Sequence, residues 1–304
     1  MRTLKTSEAA ALLNVSANTL RAWEERFGYP RPQRSPGRHR LYLYAEIDAL
    51  RGALQEGLSA SSAVSVLRDS VSTDVLALVT ALTSFKRARA DAVMAASLEI
   101  GSLEHAVDRI LLEALRALLR RKGASSACAA FALGWATDWL RRTQRLLAVP
   151  EQHGAVLVGD ATDGARVDLD AALIRALELF CARAAIDMLT LPVQALGALH
   201  EATTALGPEI VVVAGSAPDE DVARWVYAVR SAAPVRHIAY FARARTYPTA
   251  SRAVSLSDTP SEAQRELAAL LAEGAQVSDQ ANGRGPGAEA RRRGRPAPDP
   301  PPVR

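Results

Sequence analysis

A chain of 304 residues, 49% of them hydrophobic, has room for two or three domains of about 100–200 residues each and for a sizeable buried core. Its net charge of +4 excludes a protein sheathed in nucleic acid over its whole surface, because no global basic field is available. No apolar run is long enough to span a bilayer and no signal-peptide pattern opens the chain, so a cytoplasmic protein without a membrane partner is expected.

The charge is unevenly placed. Residues 1–70 carry ten Lys/Arg against seven Asp/Glu, and residues 275–304 carry six against three, which leaves the middle slightly acidic. That pattern suits a local DNA-binding module. Cys128 and Cys181 sit in apolar helical runs and match neither a zinc spacing nor a disulfide framework. They read as buried thiols in a reducing compartment.

From Thr6 to Tyr44 the chain reads as helix, turn, helix and a two-stranded wing. Thr6 is the expected N-cap of the first helix, with Glu8 placed to complement its dipole. Ala9, Ala10, Leu12 and Leu13 form a small apolar face, Asn14-Val15 makes the turn, and Ser16 caps the second helix. Leu20 and Trp23 share one face and anchor that helix in the core. Its N-terminal residues Ser16, Asn18 and Thr19, with Arg21 beside them, are small or polar, as suits a helix whose first turns enter the major groove. Gly28, Pro30, Pro32, Pro36 and Gly37 then break helical structure, and Arg34, Arg38, His39 and Arg40 surround the Pro36-Gly37 turn. The strand Leu41-Tyr42-Leu43-Tyr44 follows. Arginines on a hairpin tip contact phosphate bidentately and add affinity with little sequence information.

The run TSEAAALLNVSANTLRAWEERFGYPRPQRSPGRHRLY resembles the DNA-binding domain of the MerR family, including its "TLR-W-E-R-G" core and "G-R-LY" wing. The resemblance covers roughly the first 70 residues, through a helix Ala45 to Glu56 and the segment Ser59 to Leu67. It implies a dimer on a near-palindromic, double-stranded promoter site; a homodimer or a larger homo-oligomer is expected. The expected DNA-binding residues are Ser16, Asn18, Thr19, Arg21, Arg34, Arg38, His39, Arg40 and Tyr42.

Residues 71–150 read as a four-helix bundle, with helices near Asp74–Ser84, Ala88–Glu99, Leu103–Arg121 and Ser125–Leu147, broken at Gly101 and Gly123. Phe131, Trp135 and Trp139 recur every four residues and read as core packing. Residues 151–274 alternate strand and helix. Strands are expected at Ala155–Gly159, Ile186–Leu191, Glu209–Ala214, Val235–Phe241 and Ala253–Leu256, and a last helix, capped by Thr259 or Ser261, ends at Gly274. Glu209–Ala214 is apolar throughout, as a parallel strand covered on both faces should be. The expected fold class is multi-domain α and α/β: a winged helix-turn-helix head, a helical bundle and a flavodoxin-like, doubly wound α/β domain. Ligands in such sheets bind at the carboxyl ends of the strands, which makes residues 160–170, 192–193, 215–219 and 242–245 the candidate loops. Residues 275–304, rich in Pro, Gly and Arg, read as a disordered tail.

This domain order resembles the cobalamin-dependent light-sensing regulators of carotenoid synthesis. In that family a loop after the first α/β strand supplies a lower axial histidine in an E/D-x-H-x-x-G motif, and the bundle caps the corrin with W-x9-E-H. Aligned on Gly164, this chain has Val167 in place of the histidine and Asp170 in place of the final glycine. A valine cannot coordinate cobalt. Aligned on Gly123, the cap motif falls at Arg120, Ala130 and Phe131, with Phe131, Trp135 and Trp139 filling space a corrin would use. The Glu104-His105 pair on the preceding helix reads as a solvated surface pair. The expectation is a DNA-binding regulator without a cofactor or metal. Its sensory region uses another small-molecule or protein effector, or serves oligomerisation and partner docking. The alternative is a cobalamin-dependent light-sensing repressor with an altered axial site. No Ser-His-Asp grouping, P-loop, G-x-G-x-x-G after a strand or metal-ligand cluster is present, so no enzymatic activity is expected.

Overall fold

Amphipathic periodicity accounts for most of what the chain does locally. The computed structural model describes residues 3–34, 39–147, 154–162, 168–243 and 253–281. The head begins with strand β1 (Thr3–Lys5), helix α1 (Thr6–Leu12), helix α2 (Ala17–Phe27), strands β2 (Gln33–Arg34) and β3 (Arg40–Leu43), and helix α3 (Tyr44–Gln55). The wing is three-stranded rather than two-stranded. β1 pairs antiparallel with β3 on the side away from β2, giving the order β1-β3-β2. The α1 cap lies one residue earlier than expected: the Lys5 N–H donates to Glu8 Oε2 at 2.7 Å, so Thr6 is already inside the helix. Leu20, Tyr42, Ile47 and Leu50 are fully buried in the head core, with Trp23 packed at its margin.

Helix α4 (Ala60–Thr83) runs without a break across the expected 70/71 boundary. Ser59 caps it by accepting from the Ser62 N–H at 3.2 Å. Its first turn contributes Ala63 and Val64 to the head core, and its last turns contribute Leu78 and Leu82 to the bundle core. At about 1.5 Å per residue it is a strut roughly 36 Å long shared by both parts.

The bundle continues with α5 (Arg87–Ile100), a π-helical stretch (His105–Leu111) leading into α6 (Leu112–Lys122), and α7 (Ala127–Arg145). The four expected helices are present, the third with this wider turn at its start. Trp135 is buried and its indole N–H donates to Asp91 Oδ1 of α5 at 2.9 Å, while Phe131 meets Phe85 edge-on at 5.4 Å.

The α/β part consists of β4 (Ala155–Asp160), α8 (Leu169–Arg183), β5 (Asp187–Pro192), a 3-10 turn (Leu196–Ala198) with α9 (Leu199–Leu206), β6 (Ile210–Ala214), α10 (Asp219–Ala232), β7 (His237–Phe241), β8 (Ala253–Ser255) and α11 (Pro260–Ala281). All five strands are parallel, in the order β5-β4-β6-β7-β8. This is the flavodoxin-like order, which reverses between β4 and β6. Alternation divides the strands between two faces. Val156, Val158, Ile210, Val212 and Phe241 pack toward α8 and α11, whereas Leu157, Val211, Val213 and Tyr240 pack toward Trp225 of α10. Helix α11 extends seven residues past the expected end at Gly274, so residues 275–281 are helical. Residues 282–304 of the expected tail lie outside the described set.

The bundle core and one face of the sheet are a single hydrophobic body, continuous from Leu78 to Leu271. Helix α8 makes this possible, because it is buried nearly all round, from Ala172 to Cys181. A helix apolar on every side must be covered on every side, here by the sheet, α7 and α11. Both cysteines are buried and unpaired.

At this junction the reading of Glu104-His105 as a solvated pair is corrected. Glu104 is only 8% exposed and pairs with Arg183 of α8. His105 is half-buried on the side toward the head, where burial and then the Arg109 charge depress its proton affinity. One turn on, Asp108 is buried, and its Oδ1 lacks a hydrogen-bond partner among the described residues. Burial pushes its carboxyl up to about 7 from an ordinary 3.8, opposed by Ser261 and Arg265 of α11 and reinforced by Glu104. The folded chain therefore holds this proton more tightly than the unfolded chain. The associated stability is present at acid pH and is lost as pH rises through the interval between those two values. Asp108→Asn should leave the melting temperature near wild type at pH 4 and raise it at pH 8, by on the order of 2 kcal/mol in stability. A lower melting temperature at both pH values would show that the carboxylate is a net stabiliser.

Candidate nucleic-acid interface and the ligand edge of the sheet

Asn14 takes a left-handed φ of 54° in the turn between α1 and α2, a conformation asparagine tolerates better than most residues. Ser16 Oγ accepts from the Thr19 N–H at 3.0 Å and lies 2.8 Å from Thr19 Oγ1. The two hydroxyls thus fix the start of α2 by satisfying each other. Asn18 and Arg21 remain exposed on the outer side of that first turn, and Arg21 Nη1 donates to Asn18 Oδ1 at 3.2 Å. This pair presents an amide N–H₂ and the rest of a guanidinium, both suited to base edges. At the far end Gly28, with φ of 61°, closes the helix by donating to Glu24 O at 2.8 Å.

The wing is tied to α2 by a group the sequence reading missed. Glu24 accepts from Arg40 Nε at 3.0 Å and from the Tyr42 hydroxyl at 3.2 Å. Tyr42, expected at the DNA surface, is instead fully buried. Burial first, and then the Glu24 charge, push its phenol pKa up. Tyr42 therefore helps hold the wing against α2. Arg40, expected to contact DNA, likewise spends its Nε on Glu24. The available sequence signal was the acidic pair Glu24-Glu25 in the C-terminal half of a helix whose exposed side is otherwise polar and basic. His39 is exposed just before β3. Arg34 ends β2 opposite Arg40. The Arg34 side chain, and Arg38 with the Pro36-Gly37 turn, lie outside the described set.

The described parts of the four loops expected at the carboxyl edge of the sheet lie together. The Val193 N–H donates to Asp160 O at 2.9 Å, Ala161 N–H to Ala214 O at 2.7 Å, and Ala217 N–H to Ala161 O at 2.7 Å. The loops after β4 and β6 are thus joined just beyond the strand ends by the Ala217–Ala161 bond. Gly215 has φ of 104°, and a Cβ there would lie 2.7 Å from the Ala161 carbonyl carbon. Arg243, its side chain 5% exposed, donates to Gly215 O at 2.7 Å, Ala217 O at 2.9 Å and Asp219 Oδ1 at 2.6 Å. The acidic groups nearby have local duties: Asp160 Oδ1 accepts from Thr162, and Asp168 caps α8. Burial and then the Asp168 charge raise the Asp170 pKa. Val167 and the rest of 163–167 lie outside the described set, as does His153. Among the described residues there is no group of three or more His, Cys, Asp or Glu able to hold a metal, and no helix long and apolar enough to cross a membrane.

A winged helix-turn-helix joined through a helical bundle to a flavodoxin-like sheet defines a DNA-binding head on a larger α and α/β body. Residues 5–42 match the model for MerR family regulatory proteins, and the head is a helix-turn-helix domain of that family. Over 71 residues the chain is 39% identical to the HTH-type transcriptional repressor CarA of Myxococcus xanthus, covering 22% of this chain and 25% of that protein. Over 44 residues it is 48% identical to the HTH-type transcriptional regulator MlrA of Escherichia coli strain K12, covering 14% and 18%. The matched region thus spans a quarter or less of these relatives. Among solved structures, the chain aligns with the methanol:cobalamin methyltransferase complex MtaBC of Methanosarcina barkeri at a TM-score of 0.32 and 11% identity, covering 66% of this chain and 80% of that one. A cobalamin-binding protein of Desulfitobacterium hafniense aligns at 0.30 and 10%, covering 64% and 96%. Likeness at that level assigns neither ligand nor activity.

Proposed function

We propose that this chain is a MerR-type transcriptional regulator that binds double-stranded promoter DNA as a homodimer or larger homo-oligomer. Its α/β region acts without cobalamin, through another effector or as an assembly and docking unit. The observation that carries the DNA-binding half is the exposed Asn18–Arg21 pair on the first turn of a Ser16-capped α2, with the wing braced beside it by Glu24. Anisotropy titrations against a selected operator and a scrambled duplex test it. Asn18→Ala should cost about 1–3 kcal/mol on the operator and relax its preference. Arg38→Ala should weaken binding to both duplexes and reduce the salt slope by about one. Wing variants that change preference between duplexes while leaving the salt slope alone would overturn this division of labour.

The cofactor-free half is supported by the poor fit of a corrin to the residues present. Residues 154–171 contain no histidine, and Arg243 fills the edge beside the loop after β6, donating to Gly215 O and Ala217 O. Absorbance and elution volume of the purified chain with adenosylcobalamin, in darkness and after green light, decide the matter. An unchanged size with no co-eluting corrin is expected. Co-eluting corrin with a light-dependent size change would restore the light-sensing alternative.

A further inference from the structure

A cavity of about 760 Å³ lies between the head and the bundle, away from both the DNA-facing side of α2 and the carboxyl edge of the sheet. Its volume falls within the usual range for a small-molecule site. The head contributes Tyr29 and Glu46, and the bundle contributes Ser97, His105 and Arg109. Glu46 Oε2 is buried with no hydrogen-bond partner among the described residues. Arg109, half-buried and so partly open to solvent, makes no hydrogen bond or ion pair among them. The Arg109 charge nevertheless acts on Glu46, Tyr29 and His105, so the opposite charges face one space without closing on each other. Glu113 binds Arg116, whereas Arg31, whose Nε donates to Gly28 O, also reaches Glu46 through its backbone N–H and its charge. Asp74, half-buried across from His105, is the remaining acid. Apolar wall comes from Leu43, Val71 and Ile110.

A buried carboxyl oxygen without a donor is costly, and burial pushes the Glu46 carboxyl up to about 7, opposed by the charges of Arg109 and Arg31. The wall carrying Arg109 is the π-helical stretch, a form concentrated at functional sites. Gly101 keeps that wall close, since a Cβ there would meet Ser97 O at 3.1 Å and His105 Cδ2 at 3.2 Å. We propose that this cavity binds a small amphoteric molecule with separated ends, of the ω-amino carboxylate class, its ammonium on Glu46 and its carboxylate on Arg109. Methylenes between the two ends lie along Leu43, Val71 and Ile110. The residues that bind it come from both the DNA-binding head and the body, so occupancy fixes one against the other. This consequence for DNA rests on the regulator reading above, whereas the binding itself does not.

The test is calorimetric titration of the full chain with 5-aminovalerate, alongside valerate and pentylamine, which each lack one end. One-site binding is expected for 5-aminovalerate, about tenfold or more weaker for either single-ended compound and for Glu46→Gln or Arg109→Gln. At pH 8, above the raised Glu46 pKa of about 7, Glu46→Gln should also melt at a higher temperature than wild type, because it removes a charge that burial disfavours. Loss of binding together with gained stability separates a ligand site from a structural contact. No saturable binding of 5-aminovalerate, or binding that Glu46→Gln leaves unchanged, overturns the proposal. Operator binding measured in parallel keeps the readings apart. A chain that binds 5-aminovalerate through Glu46 but binds no DNA retains this site and loses the regulator reading.

Discussion

Gly215→Ala should destabilise the α/β part by about 3 kcal/mol or more, read as a lower urea midpoint. Two costs add. The backbone at 215 has φ of 104°, a region an L-residue enters only at about 1–3 kcal/mol. The new Cβ would also stand 2.7 Å from Ala161 C and 2.8 Å from Thr162 N, which are backbone atoms with no rotamer to retreat into. Gly207→Ala is the control. Its φ of 56° is also left-handed, but nothing lies within 4 Å of the added carbon, so it should cost only about 1 kcal/mol. The comparison bears on function because Gly215 is the residue that lets the loops after β4 and β6 meet. If the two glycine variants lost the same stability, the seam would have room to give. An open switch-point crevice, and with it a bound cofactor, would then regain its case.

Trp135→Ala should cost about 3–5 kcal/mol, the range for truncating a large buried aromatic. Trp135 is 1% exposed in the continuous core, and its loss also leaves Asp91 Oδ1 with only the longer contact from Arg142 Nη2 at 3.4 Å. Trp135→Phe separates the two contributions, since it keeps most of the volume and removes the N–H. About 1 kcal/mol is expected for that hydrogen bond, with the balance belonging to packing. Equal losses in the two variants would make Asp91, rather than bulk, the reason for a tryptophan at this position. Thermal unfolding of both proteins at one pH is sufficient.

The sequence by itself determined what each segment wants locally. Ser16 stands before Asn18-Thr19-Leu20 and can only be read as a cap, and the structure places its Oγ on the Thr19 N–H. The apolar run at 210–214 announced a strand covered on both faces, and every residue of β6 is buried. Alternation of strand and helix after residue 154 was enough to anticipate a five-stranded parallel sheet, because parallel strands require crossover helices. Periodicity reports that a face wants cover, but it does not say which surface supplies it. That is why α8 could be read as a helix while its joining of bundle and sheet into one core could not.

Polar residues escaped the sequence reading for a related reason. Burying a charge is tolerated only where partners arrive, and those partners come from distant segments. Glu104 reads as solvated until Arg183, 79 residues later, is brought against it. Tyr42 reads as a wing-surface residue until Glu24, on the neighbouring helix, accepts its hydroxyl. Glu46 and Arg109 sit in separate helices of unremarkable pattern, and only the packing of α3 and α4 with the π-helical turn places both on one cavity. Caps, turns and element types depend on neighbours within four residues and were fixed by the order of the amino acids. The tertiary structure alone decided which charges would be left facing each other, because that depends on where whole helices come to rest.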